Sequence, residues 1–195
     1  MSKPEFASAS MTAGQLNALV KIIGADNVLG ILCGDLRVEL KQFNLLSRVA
    51  TAQIEATEKL VASEHIKSAN IGYMWDGFCD NFSNMVEESV PAATIAVSRL
   101  EKASVDKPIL AQLGDKAEIK LAHFFALLEK QSKGEDGVLL VNGYANIAYI
   151  RDSKGTLWAV GALWDSLFRC WDVRARSVGS PGAWGTGSQI LSCDS

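Results

Sequence analysis

Residues 143–177 decide the fold of this chain and read GYANIAYIRDSKGTLWAVGALWDSLFRCWDVRARS. Aromatic and β-branched side chains alternate there with small or polar ones, and turn residues interrupt the alternation twice. This pattern is typical of antiparallel strands and predicts three of them. Gly155 lies in the first interruption, where a tight hairpin needs a residue that accepts a positive φ. The stretch therefore predicts a β-meander.

The strongest helix of the chain is predicted upstream of this meander, over residues 116–130. Its apolar residues recur at helical spacing and form a stripe broad enough to lie on a sheet. Three of the five tryptophans lie in the meander, so much of the aromatic core should form between the two. The fold class predicted is α+β, with helices packed on one face of an antiparallel β-meander. The residues of the helical stripe are Ala117, Leu121, Phe124 and Leu128.

The sequence divides into four segments. Residues 1–10 are small, polar and unpatterned, and they are predicted to be a disordered lead. Residues 11–40 carry two short apolar stripes separated by Gly24, which predicts a helical hairpin module. Residues 41–67 have only a weak pattern and are interpreted as a linker or a helix. Residues 68–195 form the predicted α+β main domain.

Composition excludes some classes of function and disfavours others. The net charge is −3 and the pI is near 5.4, so nucleic acid binding, which needs clustered positive charge, is an unlikely function for the chain. The chain has no apolar run long enough to span a bilayer and no signal-peptide core, so a cytoplasmic protein is expected. The four cysteines are scattered, which predicts thiols without a metal site. No cofactor-binding motif occurs, and no cofactor is expected.

The third predicted strand has a basic side and an apolar side. Arg174 and Arg176 fall on one face by their two-residue spacing, with Trp171 on the other face beside Val173 and Ala175. Arg151 and Trp184, the latter in a glycine-rich loop, complete the candidate ligand-binding set. Such a face could bind an acidic partner, or single-stranded nucleic acid by charge and base stacking. The alternative is a solvated face whose arginines pair with Asp152, Asp165 and Asp172.

Candidates for catalysis are fewer. His123 lies on the predicted long helix, and Asp76 begins a predicted helix that Pro91 closes and that also carries Asp80, Glu87 and Glu88. Together with Arg174 or Arg176, these residues would suit a small hydrolase or nuclease. The structural alternatives are a buried histidine and a solvated acidic face. The favoured hypothesis is a non-enzymatic binding or protein-interaction protein, because no second motif converges on either candidate.

Three stretches carry a resemblance to a known family. They are MTAGQLNALVK through CGDL near the N-terminus, AEIKLAHFF with NGYANIAYIRD, and the closing WGTGSQILS. In these stretches the chain resembles a family of hypothetical proteins from candidate-phylum bacteria, for which no activity is known. In that family the equivalent of Met11 is commonly the first residue, and the N-terminal module also precedes unrelated C-terminal regions. The resemblance therefore implies a docking role for residues 11–40 with a protein partner. The chain departs from the family at Leu167 and Phe168, where a glycine- or tyrosine-rich turn is more usual.

Overall fold

The chain divides into two compact units, Met1–Phe43 and Asn44–Ser195. The structure, a computed structural model, describes residues 44–194 and, in the first unit, residues 17–18, 20–22 and 24–28. In the first unit residues 17–18, 20–22 and 25–28 are helical, and Gly24 between them has a φ of +86°. The predicted lead over residues 1–10 and the hairpin over 11–40 as a whole lie outside the described residues.

The second unit is built from strands and short helices around one large sheet. The predicted meander is confirmed as β6, β7 and β8, and Gly155 in its first turn has a φ of +82°. In chain order the elements are β1 (Leu46–Ile54), β2 (Thr57–Val61), α1 (Ala62–His65), β3 (Ile71–Met74), α2 (Asp76–Phe82), β4 (Val86–Val90), β5 (Ala93–Leu100), α3 (Asp106–Leu113), α4 (Leu121–Lys130), β6 (Asn146–Arg151), β7 (Leu157–Asp165), β8 (Cys170–Ser177) and β9 (Gln189–Cys193).

The large sheet has seven strands in the order β1-β5-β9-β6-β7-β8-β3. Most neighbours are antiparallel, but β6 pairs with β9 in parallel and β3 pairs with β8 in parallel. Strands β2 and β4 form a separate two-stranded ribbon. The last strand, β9, lies in the middle of the sheet between β5 and β6, and its residues from Gln189 to Ser192 are all buried.

The first face of the sheet carries the main apolar core. Helix α4 lies on it, and Leu121, Phe124 and Leu128 of its stripe are completely buried. Trp171 and Val173 of β8 face the same cluster, so the predicted packing of the phenylalanine-rich helix on the tryptophan-bearing strands is confirmed. Helix α2 adds its two phenylalanines, which stack with ring centroids 5.5 Å apart. Large apolar side chains on both layers explain why these elements pack here.

The second face corrects the expectation that helices cover only one side. Helix α3 packs there with Ile109 fully buried, and the loop after β8 adds Trp184, which is 3% exposed. The prediction failed because the meander by itself gives no sign of a second layer. Ile147, Tyr149 and Ala159 point towards this second cluster from β6 and β7.

Residues 44–67, predicted as linker or helix, form β1, β2 and the single turn α1. Strand β1 pairs with β5 along its length, although most of its side chains are small or polar. An edge strand buries few residues, here Leu46 and Ile54 at its two ends, so its hydrophobic alternation is weak in the sequence. The second unit therefore begins near Asn44 rather than at residue 68.

Two predicted helices have different bounds in the structure. The acidic helix ends at Phe82, and Glu87 and Glu88 lie on β4, because a turn at Ser83 and Asn84 reverses the chain before Pro91. The long helix begins at Leu121 rather than at residue 116. The segment before it runs along the sheet instead, with Glu118 bridged to Tyr149 of β6.

Candidate functional site

Strand β8 separates its side chains as its alternation predicts. Trp171, Val173 and Ala175 pack against the main core on the first face. Arg174 pairs in register with Gly161 and Arg176 with Ala159, and these β7 residues belong to the second face. Both arginines therefore lie on the second face of the sheet, which is where the candidate site is found.

A buried carboxylate organises the covered part of this face. Asp106, in the first turn of α3, is completely buried. Its Oδ1 accepts hydrogen bonds from the Tyr149 hydroxyl at 3.0 Å and from the Trp184 indole N–H at 2.7 Å. Its Oδ2 lies 3.6 Å from Nη2 of Arg176, too far for a hydrogen bond. We call Asp106, Tyr149, Trp184 and Arg176 the covered quartet.

Close packing holds the covered quartet together. The guanidinium carbon of Arg176 lies 3.7 Å above the Trp184 ring, a stacked cation–π arrangement. The same ring also approaches Gly161, where an added Cβ atom would come within 3.2 Å of it. Burial, and then the adjacent Asp106 carboxylate, raise the pKa of Tyr149 far above its ordinary value. Tyr149 is therefore a permanent hydrogen-bond donor to Asp106 at physiological pH.

Arg174 has a different environment. It is partly buried, and its guanidinium carbon lies 5.3 Å from the centroid of the Trp184 ring. Among the described residues no carboxylate lies within ion-pair distance of it, and its Nε has no hydrogen-bond partner. Burial and the neighbouring Arg176 charge lower the pKa of Arg174 below its usual range. The Nε atom is buried, so only the two Nη groups of this guanidinium are available to a ligand.

Strand β3 and Trp75, the residue between β3 and α2, bring two exposed aromatic side chains next to β8. Tyr73 pairs in register with Asp172 of β8, and the backbone N–H of Trp75 donates to the carbonyl of Val173 at 3.0 Å. Their rings meet edge to face with centroids 5.4 Å apart, which places both on one side of the strand. Each side chain is 53% exposed. We call Tyr73, Trp75, Asp172 and Arg174 the open patch.

The carboxylates predicted to pair with the arginines have other roles. Asp152 closes the β6–β7 hairpin by accepting the N–H groups of Lys154 and Thr156 and the indole N–H of Trp158. Asp165 accepts two backbone N–H groups in the β7–β8 turn. Asp172 forms no ion pair within the described part of the chain, and burial and the nearby Asp165 raise its pKa.

Arg151 lies apart from the other arginines. It is exposed, pairs with Glu118 through its Nε at 2.8 Å, and also donates to the carbonyl of Gly155. Together with His123 and Cys193 it lines a groove of about 560 Å³. The structure therefore does not bring Arg151 together with Arg174, Arg176 and Trp184.

The two catalytic candidates lie in contrasting places. His123 is 4% exposed, and its Nε2 lies 3.0 Å from the Pro91 carbonyl, while its Nδ1 accepts the backbone N–H of Lys120 at 3.4 Å. Asp76 is exposed in the first turn of α2. In residues 44–194 neither side chain forms a hydrogen bond or ion pair with an arginine. Backbone groups occupy both ring nitrogens of His123, so its geometry is that of a structural histidine.

Sequence reasoning did not single out Asp106, Tyr149, Tyr73 or Trp75 as site residues. A tyrosine inside the apolar run of β6 indicates a buried hydroxyl that requires a partner, and this signal could have pointed to Tyr149. Nothing in the sequence links Tyr73 and Trp75 to β8, because the parallel pairing of β3 with β8 joins segments about one hundred residues apart. Long-range pairings of this kind leave no local pattern.

Three further features concern metal ligands, cysteines and membrane-spanning helices. In the described ranges no group of three His, Cys, Asp or Glu side chains is arranged as a metal site. Cys79, Cys170 and Cys193 are unpaired thiols, and Cys33 lies outside the described residues. None of the helices in the described part of the chain combines the length and apolar character needed to cross a bilayer. No protein-family model, curated protein or solved structure matches the chain.

Proposed function

We propose that this chain is a non-enzymatic binding protein and that the open patch is its ligand-binding face. One observation carries the proposal: four side chains suited to recognition lie on neighbouring segments at one end of the sheet, and in the described residues their polar groups have no hydrogen-bond or ion-pair partner. In residues 44–194 the Tyr73 hydroxyl, the Trp75 indole N–H, the Asp172 carboxylate and the Arg174 guanidinium form no side-chain hydrogen bond or ion pair. Exposed aromatic rings beside unused polar groups are typical of binding surfaces.

The covered quartet supports this face from below. Arg176 lies between Asp106 and Trp184. If its side chain rotated to pair with Asp172, the buried Asp106 carboxylate would lose its positively charged neighbour. The covered quartet therefore acts as scaffolding, and Arg176 and Trp184, which were sequence candidates for ligand contact, become positioning residues in this proposal.

The alternative is a small hydrolase or nuclease that uses His123 or the acidic helix with Arg174 and Arg176. In the first form of this alternative His123 is the general base. Both ring nitrogens of that side chain are, however, engaged by backbone groups. The acidic helix is reduced to Asp76 and Asp80, since Glu87 and Glu88 lie on β4. The geometry therefore favours binding over catalysis.

The proposal is tested by a ligand screen on the full chain followed by variants. Thermal unfolding is followed with oligosaccharides, acidic peptides and oligonucleotides, because a ligand that binds the folded state raises Tm. We expect a stabilising ligand whose effect is lost in Trp75→Ala and kept in Tyr144→Ala. Tyr144 is a matched control because it is 49% exposed and lies outside the open patch.

The opposite pattern would refute the assignment. If every stabilising ligand acts equally on the wild type and on Trp75→Ala, the open patch is not the binding face. If Lys120→Ala, in the groove that contains His123, abolishes the effect instead, that groove is the site.

A further inference from the structure

The charges around the open patch do not favour a polyanion. The second face near it carries two arginines, Arg174 and Arg176, and three carboxylates, Asp106, Asp165 and Asp172. Asp106 faces Arg176, and Asp165 lies close enough to Asp172 to influence its protonation. A nucleic acid or an acidic peptide would therefore meet at least as much negative as positive charge. The balance suits a ligand without net charge.

The polar groups of the patch require a ligand that both donates and accepts hydrogen bonds. Asp172 and Arg174 are two residues apart on β8, on the same face, and their charged ends lie farther apart than an ion pair allows. An ionised carboxylate only accepts hydrogen bonds, and a guanidinium only donates them. A hydroxyl group does both, so a pair of neighbouring hydroxyl groups would satisfy Asp172 and Arg174 together.

The aromatic rings add a requirement for a flat apolar surface. Tyr73 and Trp75 meet edge to face, so the two ring planes form a corner rather than a single stack, and each ring is about half exposed. A face of C–H groups can pack on such a ring and bury apolar area, with the C–H hydrogens directed at the electron-rich ring face. A pyranose ring combines this C–H face with a rim of hydroxyl groups.

We infer that the open patch binds a neutral pyranose unit of an oligosaccharide. The sugar packs its C–H face on Trp75 and Tyr73, donates a hydroxyl hydrogen to Asp172, and accepts a hydrogen bond from Arg174. This inference rests on the proposed function and gives the class of its ligand. The groups invoked come from β3, from Trp75 directly after it and from β8, so the site needs no closure of the chain around the sugar.

The test uses the full chain and an array of immobilised neutral and acidic oligosaccharides. The neutral oligosaccharide with the strongest signal is then titrated by calorimetry, with poly-glutamate as the anionic comparison. We expect Trp75→Ala to weaken sugar binding about tenfold, as for other ring-stacked ligands, and Asp172→Asn to weaken it several-fold. The Kd should change less than about twofold between about 50 mM and about 500 mM salt, because a neutral ligand is not screened.

The controls separate this inference from the proposed function. Tyr144→Ala should bind the sugar like the wild type, and all variants should keep the wild-type circular dichroism spectrum. No signal on any neutral oligosaccharide, or a signal that Trp75→Ala leaves unchanged, overturns the inference. If poly-glutamate binds instead and loses affinity in Trp75→Ala, the ligand is not a sugar and the open patch remains the binding face. If the binding of no ligand depends on Trp75, both the sugar inference and the proposed function are wrong.

Discussion

The covered quartet and the open patch contain the same four residue types, each with one tryptophan, one tyrosine, one aspartate and one arginine. In the covered quartet, Asp106 accepts hydrogen bonds from Tyr149 and Trp184, and Trp184 is stacked under Arg176. In the open patch the two rings touch each other, but the carboxylate and the guanidinium remain apart. Both groups lie on the second face of one sheet, so the difference does not come from composition.

The difference comes from what lies above each group. Helix α3 and the loop that carries Trp184 cover β6 and β7, and burial makes every unpaired polar atom there costly. Tyr73 and Trp75 are about half exposed, and water can satisfy the polar groups there until a ligand replaces it. The comparison teaches that the same side chains act as structural support under a second layer and as a recognition surface without one.

The largest expected effect separates the two tryptophans. Trp184→Ala should lower the free energy of unfolding by about 3–5 kcal/mol, because it opens a cavity above Gly161 and removes a donor to Asp106. Trp75→Ala should cost less, about 1 kcal/mol, since about half of that side chain is already in water. Urea denaturation followed by far-UV circular dichroism measures both. Equal losses in the two variants would show that the open patch is also structural.

The corresponding tyrosine variants should also differ in their free energy of unfolding, with the larger loss again in the covered quartet, but the difference should be smaller than for the tryptophans. Tyr149→Phe removes one hydrogen bond to the buried Asp106 carboxylate and should cost about 1.5–3 kcal/mol. Tyr73→Phe removes a hydroxyl that forms no hydrogen bond within the described residues and should cost almost nothing. The same denaturation experiment compares them. A larger loss in Tyr73→Phe would mean that the Tyr73 hydroxyl has a structural partner.

The hydrogen bond between Tyr149 and Asp106 also predicts that the free energy of unfolding depends on pH. The folded protein raises the pKa of Tyr149 above the value of about 10 that applies in the unfolded chain. Above about pH 10 the unfolded state therefore binds fewer protons than the folded state, and stability falls by about 1.4 kcal/mol per pH unit. This contribution is complete below that pH and is absent in Tyr149→Phe.

The measurement is urea denaturation of the wild type and Tyr149→Phe at about pH 9, 10 and 11. The stability advantage of the wild type should shrink between pH 10 and pH 11. The other two tyrosines, Tyr73 and Tyr144, are present in both proteins, so the difference between the proteins reports on Tyr149. A constant difference across the range would mean that Tyr149 titrates normally in the folded state.

Local patterns predicted the parts of the fold that depend on local structure. The alternation in residues 143–177 predicted three strands, the two-residue spacing of Arg174 and Arg176 placed both on one face, and the stripe of α4 identified buried residues. Edge strand β1 escaped prediction because it buries little more than its two ends. The covered quartet escaped because Asp106, Tyr149 and Trp184 come from three distant segments that meet only in the folded chain.

The start of α4 shows how a distant residue changes a local boundary. The apolar stripe that begins at Ala117 predicted a helix from residue 116. In the structure residues 117–119 run along β6, with the Ile119 N–H donating to the Tyr149 carbonyl at 3.0 Å, and the helix begins only at Leu121. Glu87 of β4 then accepts the N–H groups of Leu121 at 3.2 Å and Ala122 at 2.8 Å.

This long-range cap gives the smallest predicted effect. Glu87→Ala should lower the free energy of unfolding by about 1 kcal/mol, the usual cost of losing a helix cap, because two N–H groups lose their acceptor and a negative charge leaves the positive end of α4. Glu88→Ala is the matched control: it removes the adjacent carboxylate, which is exposed and lies 3.6 Å from Lys59, and surface pairs of this kind contribute little.

If urea denaturation gives the two variants equal losses, general strand charge rather than capping stabilises this end of α4. If only Glu87→Ala is destabilised, a residue that the sequence suggested for an acidic catalytic helix is a structural cap.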